Sequence, residues 1–439
     1  MLRQFSIFPT GLTYLKLMKK TTLFILLPAL IIGCSSAKRS LLKNTETFLQ
    51  SAFYDEQFTG FLLINSQNKD TLLDFNSSKY FTPASNTKIF TLFTALQLLP
   101  DHIPALKYIE QGDTLFVEGT GDPTFLHSYF EQNSTIDFLN QYDHIALHLD
   151  NYKEEKLGSG WAWDDYHYYY QPEIGALPMY GNVTTVNNSS PMQVTPSYFK
   201  DSVIAIRYHK NRDLEQNRFY FSSRRKDTVE IPFRTSALLT QTLLQKALKK
   251  EISLVQQLPQ GDKKVFYSVA TDTVLKRMMQ VSDNFLAEQL LLLSSSTLSD
   301  TLSSTKVRDH ILEQQLSNVT HPPRWVDGSG LSRYNLFTPG SMVTVLDKLY
   351  DQLPHERLFD FFPAGGINGT LEDWYAGDAE PYIYAKSGSL GNVYCLSGYL
   401  LTKSGKTLIF SFMNNHFRQP TAEVKKRMQQ IFEEIRDSY

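Results

Sequence analysis

The chain has 439 residues, is 42% hydrophobic and 20% charged, and carries a formal net charge of −2. This is ordinary globular composition, long enough for two or three domains, and it excludes a disordered or low-complexity chain. So weakly acidic a balance is no footprint for nucleic acid, and no such partner is expected.

At the N-terminus, Met18-Lys19-Lys20 precedes an uncharged apolar run from Thr21 to Gly33 that ends in Ile31-Ile32-Gly33-Cys34. A basic flank, a short apolar core and a small residue before the cut make an export signal, and the run is too short to span a bilayer as a stable helix. The ending is similar to the lipobox of bacterial lipoproteins, whose cysteine becomes the lipidated N-terminus. The resemblance implies a signal peptide over 1–33, a true start at Met18, a lipid on Cys34 and a tether over 34–40. The protein is then expected outside the cytoplasm, held at a membrane and facing the periplasm or cell wall. Cleavage removes Arg3, Lys16, Lys19 and Lys20 and leaves a more acidic mature chain. The only other cysteine is Cys395, so with Cys34 lipidated no intrachain disulfide is expected.

Further along, Gly60 to Asn65 and Thr71 to Phe75 read as two strands of a hairpin joined by the polar turn Ser66 to Asp70. Pro83 and Ala84 lead into Ser85-Asn86-Thr87-Lys88, after which Ile89, Leu92, Phe93, Leu96 and Leu99 recur at helical spacing. Residues 99–262 differ: short β-like stretches, among them Thr114 to Glu118, His144 to Leu149 and Val203 to Tyr208, are broken by Gly, Pro and Asn. They suggest an inserted, β-rich domain. Helical patterning returns over Asp272 to Leu293, and Ile383 to Lys386, Val393 to Leu401 and Leu408 to Met413 read as three strands. A last helix, about Thr421 to Arg436, puts Val424, Met428, Ile431, Phe432 and Ile435 on one face. The expected class is α/β (α+β), an antiparallel sheet between helices, with one domain assembled from 41–98 and 263–439.

Seven Ser-x-x-Lys quartets occur, beginning at Ser35, Ser40, Ser66, Ser85, Ser197, Ser223 and Ser303. Only Ser85 combines a preceding strand, a proline and a following apolar helix, which puts its hydroxyl at the positive end of a helix dipole, where an oxyanion is stabilised. Lys88, one turn on, is within reach of that hydroxyl. A lysine serves as base only if burial or a neighbouring cation lowers its pKa, so a second cation is expected nearby. Val281-Ser282-Asp283-Asn284 ends one helix and begins another, offering a hydroxyl for proton relay and an amide to hold Lys88 and a substrate carbonyl. Lys386-Ser387-Gly388-Ser389 offers the second cation, two hydroxyls and a backbone N–H, and Gly388 is expected to leave the strand edge open for a ligand backbone. The competing Lys403-Ser404-Gly405 reads as a hairpin tip.

Three such elements in this order mark penicillin-binding proteins and β-lactamases, whose third element is Lys-Thr-Gly; here Ser387 stands for the threonine. The chain resembles, more narrowly, the penicillin-binding protein 4 family of D-alanyl-D-alanine carboxypeptidase/endopeptidases (peptidase family S13). Four further segments carry this resemblance: Gly119 to Pro123, Gly160 to Asp165, Asp327 to Asn335 and Gly366 to Leu371. So does the long insertion between Lys88 and Ser282.

The resemblance implies a transpeptidase-like fold, peptidoglycan stem peptides as substrates and β-lactam antibiotics as inhibitors, with no cofactor. It makes Ser85 the acylated nucleophile, Lys88 its base, Ser282 and Asn284 the second motif, and Lys386, Ser387 and Ser389 the clamp on the terminal carboxylate. The N–H groups of Ser85 and Ser389 would form the oxyanion hole. Trp161, Asp164, Tyr169 and Arg333 match a pocket that some relatives use for the amino-acid end of a diamino acid. The alternatives are a β-lactamase or esterase on the same fold, and a lipoprotein that binds peptidoglycan without cutting it.

Other signals are expected to be bland. His144 and His148 alternate with apolar residues as a strand, and no glutamate follows His144, so no metal is expected. The aromatics of Tyr166 to Tyr170 read as packing, the serines from Ser294 to Ser304 as a solvated loop, and Asn182 and Asn188 as turn formers.

Overall fold

A computed structural model describes residues 43, 45–130, 134–189 and 191–439. Cys34, its signal and its tether lie outside the described residues. In chain order the main elements are β1 (Phe58–Asn65), β2 (Thr71–Phe75), α1 (Lys88–Leu98), β3 (His102–Gln111), β4 (Thr114–Gly119) and β5 (His144–His148). They continue with β6 (Ile252–Leu254), β7 (Lys264–Ala270), α2 (Thr271–Val281), α3 (Asn284–Ser295) and α4 (Pro339–Gln352). The chain ends with β8 (Ile383–Leu390), β9 (Val393–Leu401), β10 (Thr407–Asn415) and α5 (Thr421–Ser438). None of the described helices is long and apolar enough to cross a membrane.

The first sheet has the order β8-β9-β10-β1-β2, antiparallel throughout, so residues from both ends of the chain pair directly. Alternation along its strands gives it two apolar faces. Phe61, Leu63, Leu396, Phe410 and Phe412 pack on Val424, Met428, Phe432 and Ile435 of α5. On the opposite face Ile64, Tyr399, Ile409 and Met413 meet Ile89 and Phe93 of α1, Leu286 and Leu290 of α3 and Met342 and Leu346 of α4. The expected antiparallel sheet between helices is therefore the architecture found.

The intervening segment forms a second five-stranded sheet, β6-β5-β4-β3-β7, with its own core that includes Leu106, Val117, Ile145 and Leu147. This sheet is mixed, because β4 and β6 both run parallel to β5. It also takes in β7, which pairs with β3, so the return to the first unit falls at α2 rather than at residue 263. Of the stretch Val203 to Tyr208 only Val203–Ile204 is a strand.

The serine-rich segment is a solvated loop only in its middle, over 297–301. Ser294 and Ser295 complete α3 in the core, their hydroxyls donating to the carbonyls of Leu290 and Leu292 at 2.7 and 2.6 Å. Ser303, also buried, donates to Glu154 at 2.6 Å and caps the next helix. Composition alone misread them because hydroxyls that bond back to helix carbonyls carry their own partners inside.

Candidate active site

Ser85 sits in a single 3₁₀ turn, Ala84–Thr87, that runs straight into α1. Ala84 takes a left-handed φ of 48°, which tilts the turn so that Ser85 faces the cavity. The turn is locked from two sides. Asn86 donates to the carbonyl of Lys386 at 2.8 Å and accepts from Ser397 at 2.6 Å, while Thr87 donates to the carbonyl of Ala84 at 3.0 Å.

Lys88 is fully buried and its ammonium has three partners: Ser85 Oγ at 3.1 Å, Asn284 Oδ1 at 2.7 Å and the Ser329 carbonyl at 2.7 Å. Burial lowers its pKa to about 8, against the opposing pull of Glu288, Asp283 and Asp327. Of the two routes expected to lower a lysine pKa, burial is the larger at Lys88, and the second cation expected nearby is Lys386. Lys386, equally buried, is pushed well below its ordinary value by burial and then by the charge of Lys88.

The second motif lies at the junction of two helices. Ser282 ends α2 in the left-handed region (φ 60°), Asp283 caps α3 by accepting from the N–H of Leu286 at 3.0 Å, and Asn284 opens α3. Asn284 uses both ends of its amide, accepting from Lys88 and donating to the Tyr170 carbonyl at 3.0 Å. The Ser282 hydroxyl makes no hydrogen bond to Ser85 or Lys88 among the described residues and lines the cavity.

The third motif lies inside β8, the edge strand of the first sheet. Lys386 and Gly388 share one face and Ser387 and Ser389 the other. The Lys386 ammonium donates to the Ser387 carbonyl at 2.7 Å, and Ser387 donates to Thr370 Oγ1 at 2.6 Å. Gly388 is also needed inside the fold. A Cβ there would stand 2.5 Å from the Pro83 carbonyl and 2.9 Å from the Asn86 nitrogen, so the glycine lets β8 touch the Ser85 turn. Lys403-Ser404-Gly405 is indeed the β9–β10 tip, with Gly405 at φ 81°.

Asp327 to Asn335 wraps the far side of Lys88. Asp327 accepts from the N–H groups of Gly330 and Ser332, from Asn335 and from the indole of Trp161, at 2.6–3.0 Å. Gly330, at φ 83°, lies so close to the Ala84 carbonyl that a Cβ would be 1.9 Å from it.

The proposed diamino-acid pocket is only partly assembled. Arg333 and Tyr169 line the same cavity as Ser85, but Trp161 and Asp164 do not. Trp161 is spent on Asp327, and the exposed Asp164 offers only its backbone carbonyl, to Lys210 at 3.4 Å. The carboxylate that does line the cavity is the neighbouring Asp165, which holds the hydroxyl of Tyr170 and helps raise its pKa. The short helix Trp163–Asp165 turns successive side chains about 120° apart, which a residue-by-residue match cannot anticipate.

A model of the D-Ala-D-Ala carboxypeptidase 3 (S13) family matches residues 41–435. The chain belongs to this family. It is a serine-type D-Ala-D-Ala carboxypeptidase, a hydrolase. The D-alanyl-D-alanine carboxypeptidase DacB of Haemophilus influenzae is 24% identical to it over 432 residues, covering 87% of this chain and 90% of that protein. The penicillin-sensitive carboxypeptidase A of Dictyostelium discoideum is 22% identical, covering 93% of this chain and 90% of the relative. The crystal structure of penicillin-binding protein 4 from Haemophilus influenzae superposes with a TM-score of 0.68 at 21% identity, covering 89% of this chain and 97% of that one.

In this S13 site two residues escaped the sequence reading. Glu288, fully desolvated on α3, accepts from the N–H groups of Gly328 and Ser329 at 3.0 and 2.7 Å, and so braces the loop whose Ser329 carbonyl holds Lys88. Burial, helped by the charge of Asp327, raises its pKa to about 7. Its spacing of four from Asn284, one helical turn, was the available signal. Asn86, adjacent to the serine, was the other.

Proposed function

We propose that Ser85 attacks the carbonyl of the penultimate D-alanine in a cell-wall stem peptide, forming an acyl-enzyme that water then hydrolyses. The observation that carries this reading is the buried Lys88 ammonium, 3.1 Å from Ser85 Oγ, with a pKa brought down to about 8. Neutral Lys88 takes the hydroxyl proton as Oγ bonds to the carbonyl carbon. The N–H groups of Ser85 and Ser389 receive the oxyanion. Collapse of the tetrahedral intermediate breaks the C–N bond, and the leaving amine takes a proton relayed by the Ser282 hydroxyl. Lys386, Ser387 and Ser389 hold the terminal carboxylate, and Asn284 holds an amide of the acyl half. Water, deprotonated by Lys88, then releases the ester.

The same steps cut D-alanyl crosslinks when the leaving amine belongs to a second peptide, an endopeptidase reaction. β-Lactams acylate Ser85 by the same attack; a penicillin-binding protein 4 of similar fold has been crystallised with a β-lactam. Arg333, Asp165 and Tyr169 bind the free end of the donor's diamino acid. The chain is exported, and Cys34 carries a lipid that anchors it to a membrane, the domains being 41–98 with 271–439 and the insertion 99–270.

Labelled penicillin tests the reading. It should modify Ser85 and persist, Ser85→Ala should abolish labelling without unfolding, and an adduct on another serine would overturn the assignment. A rapidly hydrolysed adduct would point to a β-lactamase instead. Fatty-acid labelling that Cys34→Ala removes tests the anchor.

A further inference from the structure

On the face of the insertion, outside the catalytic cavity, lies a groove of about 560 Å³ lined by Tyr168, Tyr169, His209, Asn211, Arg225 and Asp227, among others. Tyr169 and Glu230 line the catalytic cavity as well, so the two spaces adjoin. Asn211 and Arg225 in turn line a second hollow of about 710 Å³, which also takes in Arg207, Tyr208 and Arg224. The hollows make a track that leads away from Ser85 across the insertion.

The stretches of chain that build this track are tied down. Asn211 donates its backbone N–H to His167 Nδ1 at 3.3 Å and its side-chain amide to the His167 carbonyl at 3.1 Å. Asn188 donates to the carbonyls of Ser223 and Arg225. On this frame Tyr168 is 41%, Tyr169 65% and Tyr208 48% exposed. Their rings are backed rather than loose: Tyr168 lies nearly parallel to Tyr170 with centroids 5.5 Å apart, and Tyr208 packs on Tyr220 at 4.5 Å. The hydroxyls of Tyr168, Tyr169 and Tyr208 have no hydrogen-bond partner among the described residues. The packing expected of Tyr166 to Tyr170 thus holds for the buried Tyr166 and His167, whereas Tyr168 and Tyr169 keep open surface.

Fixed, exposed rings with hydrogen-bonding groups between them suit a sugar. A sugar ring offers patches of C–H bonds that lie on an aromatic face, and hydroxyls at its rim that need both donors and acceptors. Arg225 and Asp227 supply both, since the guanidinium grips the carboxylate through Nε at 3.1 Å and a terminal nitrogen at 2.6 Å and keeps donors to spare. An apolar partner would leave these groups desolvated and unpaired. The direction also fits. The acyl half of the substrate is the half placed against Asn284, Asp165 and Tyr169, and it is through this half that a stem peptide hangs from the sugar chain of the wall.

We propose that the track from Tyr169 to Tyr208 is a glycan-binding groove, which holds the sugar chain bearing the stem peptide that Ser85 cuts. Tyr168 and Tyr208 stack on successive sugar rings, and Arg225, Asp227 and Asn211 bond their hydroxyl and acetamido groups. Arg207 and Arg224, which form no ion pair among the described residues, donate to oxygens farther along the chain. The inference rests on the Ser85 reading and adds to it a preference for glycan-linked over free peptide.

The test uses the purified protein with four probes: labelled penicillin, a free stem peptide ending in D-Ala-D-Ala, a glycan oligomer carrying the same peptide, and that oligomer stripped of peptide. The wild-type protein should cleave the glycan-linked peptide with a kcat/KM at least about tenfold above that of the free one. Tyr168→Ala and Tyr208→Ala should each remove about threefold to tenfold of it, the range for one lost aromatic contact, and the double variant about tenfold to a hundredfold. Tyr168→Phe, which keeps the ring, should retain most of the preference. Free peptide and penicillin should react within about twofold of wild type in every variant. The stripped oligomer should bind wild-type protein already acylated by penicillin, read by NMR line broadening, and should not bind the double variant. Equal wild-type rates on free and glycan-linked peptide would overturn the groove while leaving the Ser85 reading standing. So would a preference that survives the double variant, or equal loss on all three reacting probes, which would make the tyrosines structural. If penicillin fails to acylate the wild-type protein, the Ser85 reading itself fails.

Discussion

The Lys88 ammonium and Asn284 Oδ1 are 2.7 Å apart, and this contact joins the helix that follows the nucleophile's turn to the helix that starts at the end of the second motif. Since Lys88 has a pKa of about 8, only a minor fraction is neutral at pH 7. Acylation of Ser85 should therefore rise with pH through a midpoint near 8. Asn284→Asp would place a carboxylate against the ammonium and favour its charged form, moving the midpoint up by about a unit or more. At pH 7 the acylation rate should fall about tenfold or further. Stopped-flow acylation by a chromogenic β-lactam across pH would show this, and an unmoved midpoint would mean that Lys88 is not the base.

Glu288→Gln should have two separable effects. The carboxylate is the largest of the charges that raise Lys88, so removing it should move the acylation midpoint to lower pH. The amide can accept only one of the two N–H groups that Glu288 now satisfies, which should cost about 1–3 kcal/mol of stability. The pH dependence of stability carries a definite sign. Burial raises the pKa of Glu288 in the folded state, so its contribution is fully present below about 4.5 and is lost as pH rises through about 7. Melting curves of the variant should lack that decline, and identical pH profiles for the two proteins would refute the point.

Gly388→Ala should disable acylation while leaving most of the fold. The new Cβ would press on the carbonyl of Pro83 and the nitrogen of Asn86, both backbone atoms that cannot step aside without moving the Ser85 turn. A displacement of about 1 Å at a reacting group can cost on the order of a hundredfold. A variant acylated at the wild-type rate would show that the turn yields freely.

Much of this was legible in the sequence because the signals were local. The strand, proline and apolar helix around Ser85, the helix break at Ser282 and the run into Lys386 each lie within one stretch of chain. What stayed hidden was long-range. The role of Gly388 depends on a turn about 300 positions earlier, and that of Glu288 on backbone N–H groups of a distant loop. The mixed pairing of the second sheet also cannot be inferred from strand periodicity, which looks the same in parallel and antiparallel partners. The resemblance pointed to Asp164, whereas the carboxylate of that segment that lines the cavity belongs to its neighbour Asp165.

That last point makes the sharpest comparison, between adjacent residues of one short helix. Asp165 lines the cavity with Arg333 and Tyr169, whereas the exposed Asp164 does not. If the cavity binds the ammonium of a donor diamino acid, Asp165→Asn should lower kcat/KM for such a peptide by about tenfold, and Asp164→Asn should leave it within twofold. Arg333→Ala should produce a loss of similar size, because the guanidinium meets the carboxylate of the same amino-acid end. Penicillin, which has no such group, should acylate all three variants at close to the wild-type rate. Asp165 also holds the Tyr170 hydroxyl, and the Tyr170 carbonyl receives Asn284, so a purely structural role has its own signature. In that case Asp165→Asn would slow penicillin as much as peptide, and the donor pocket would have to be sought elsewhere along the cavity.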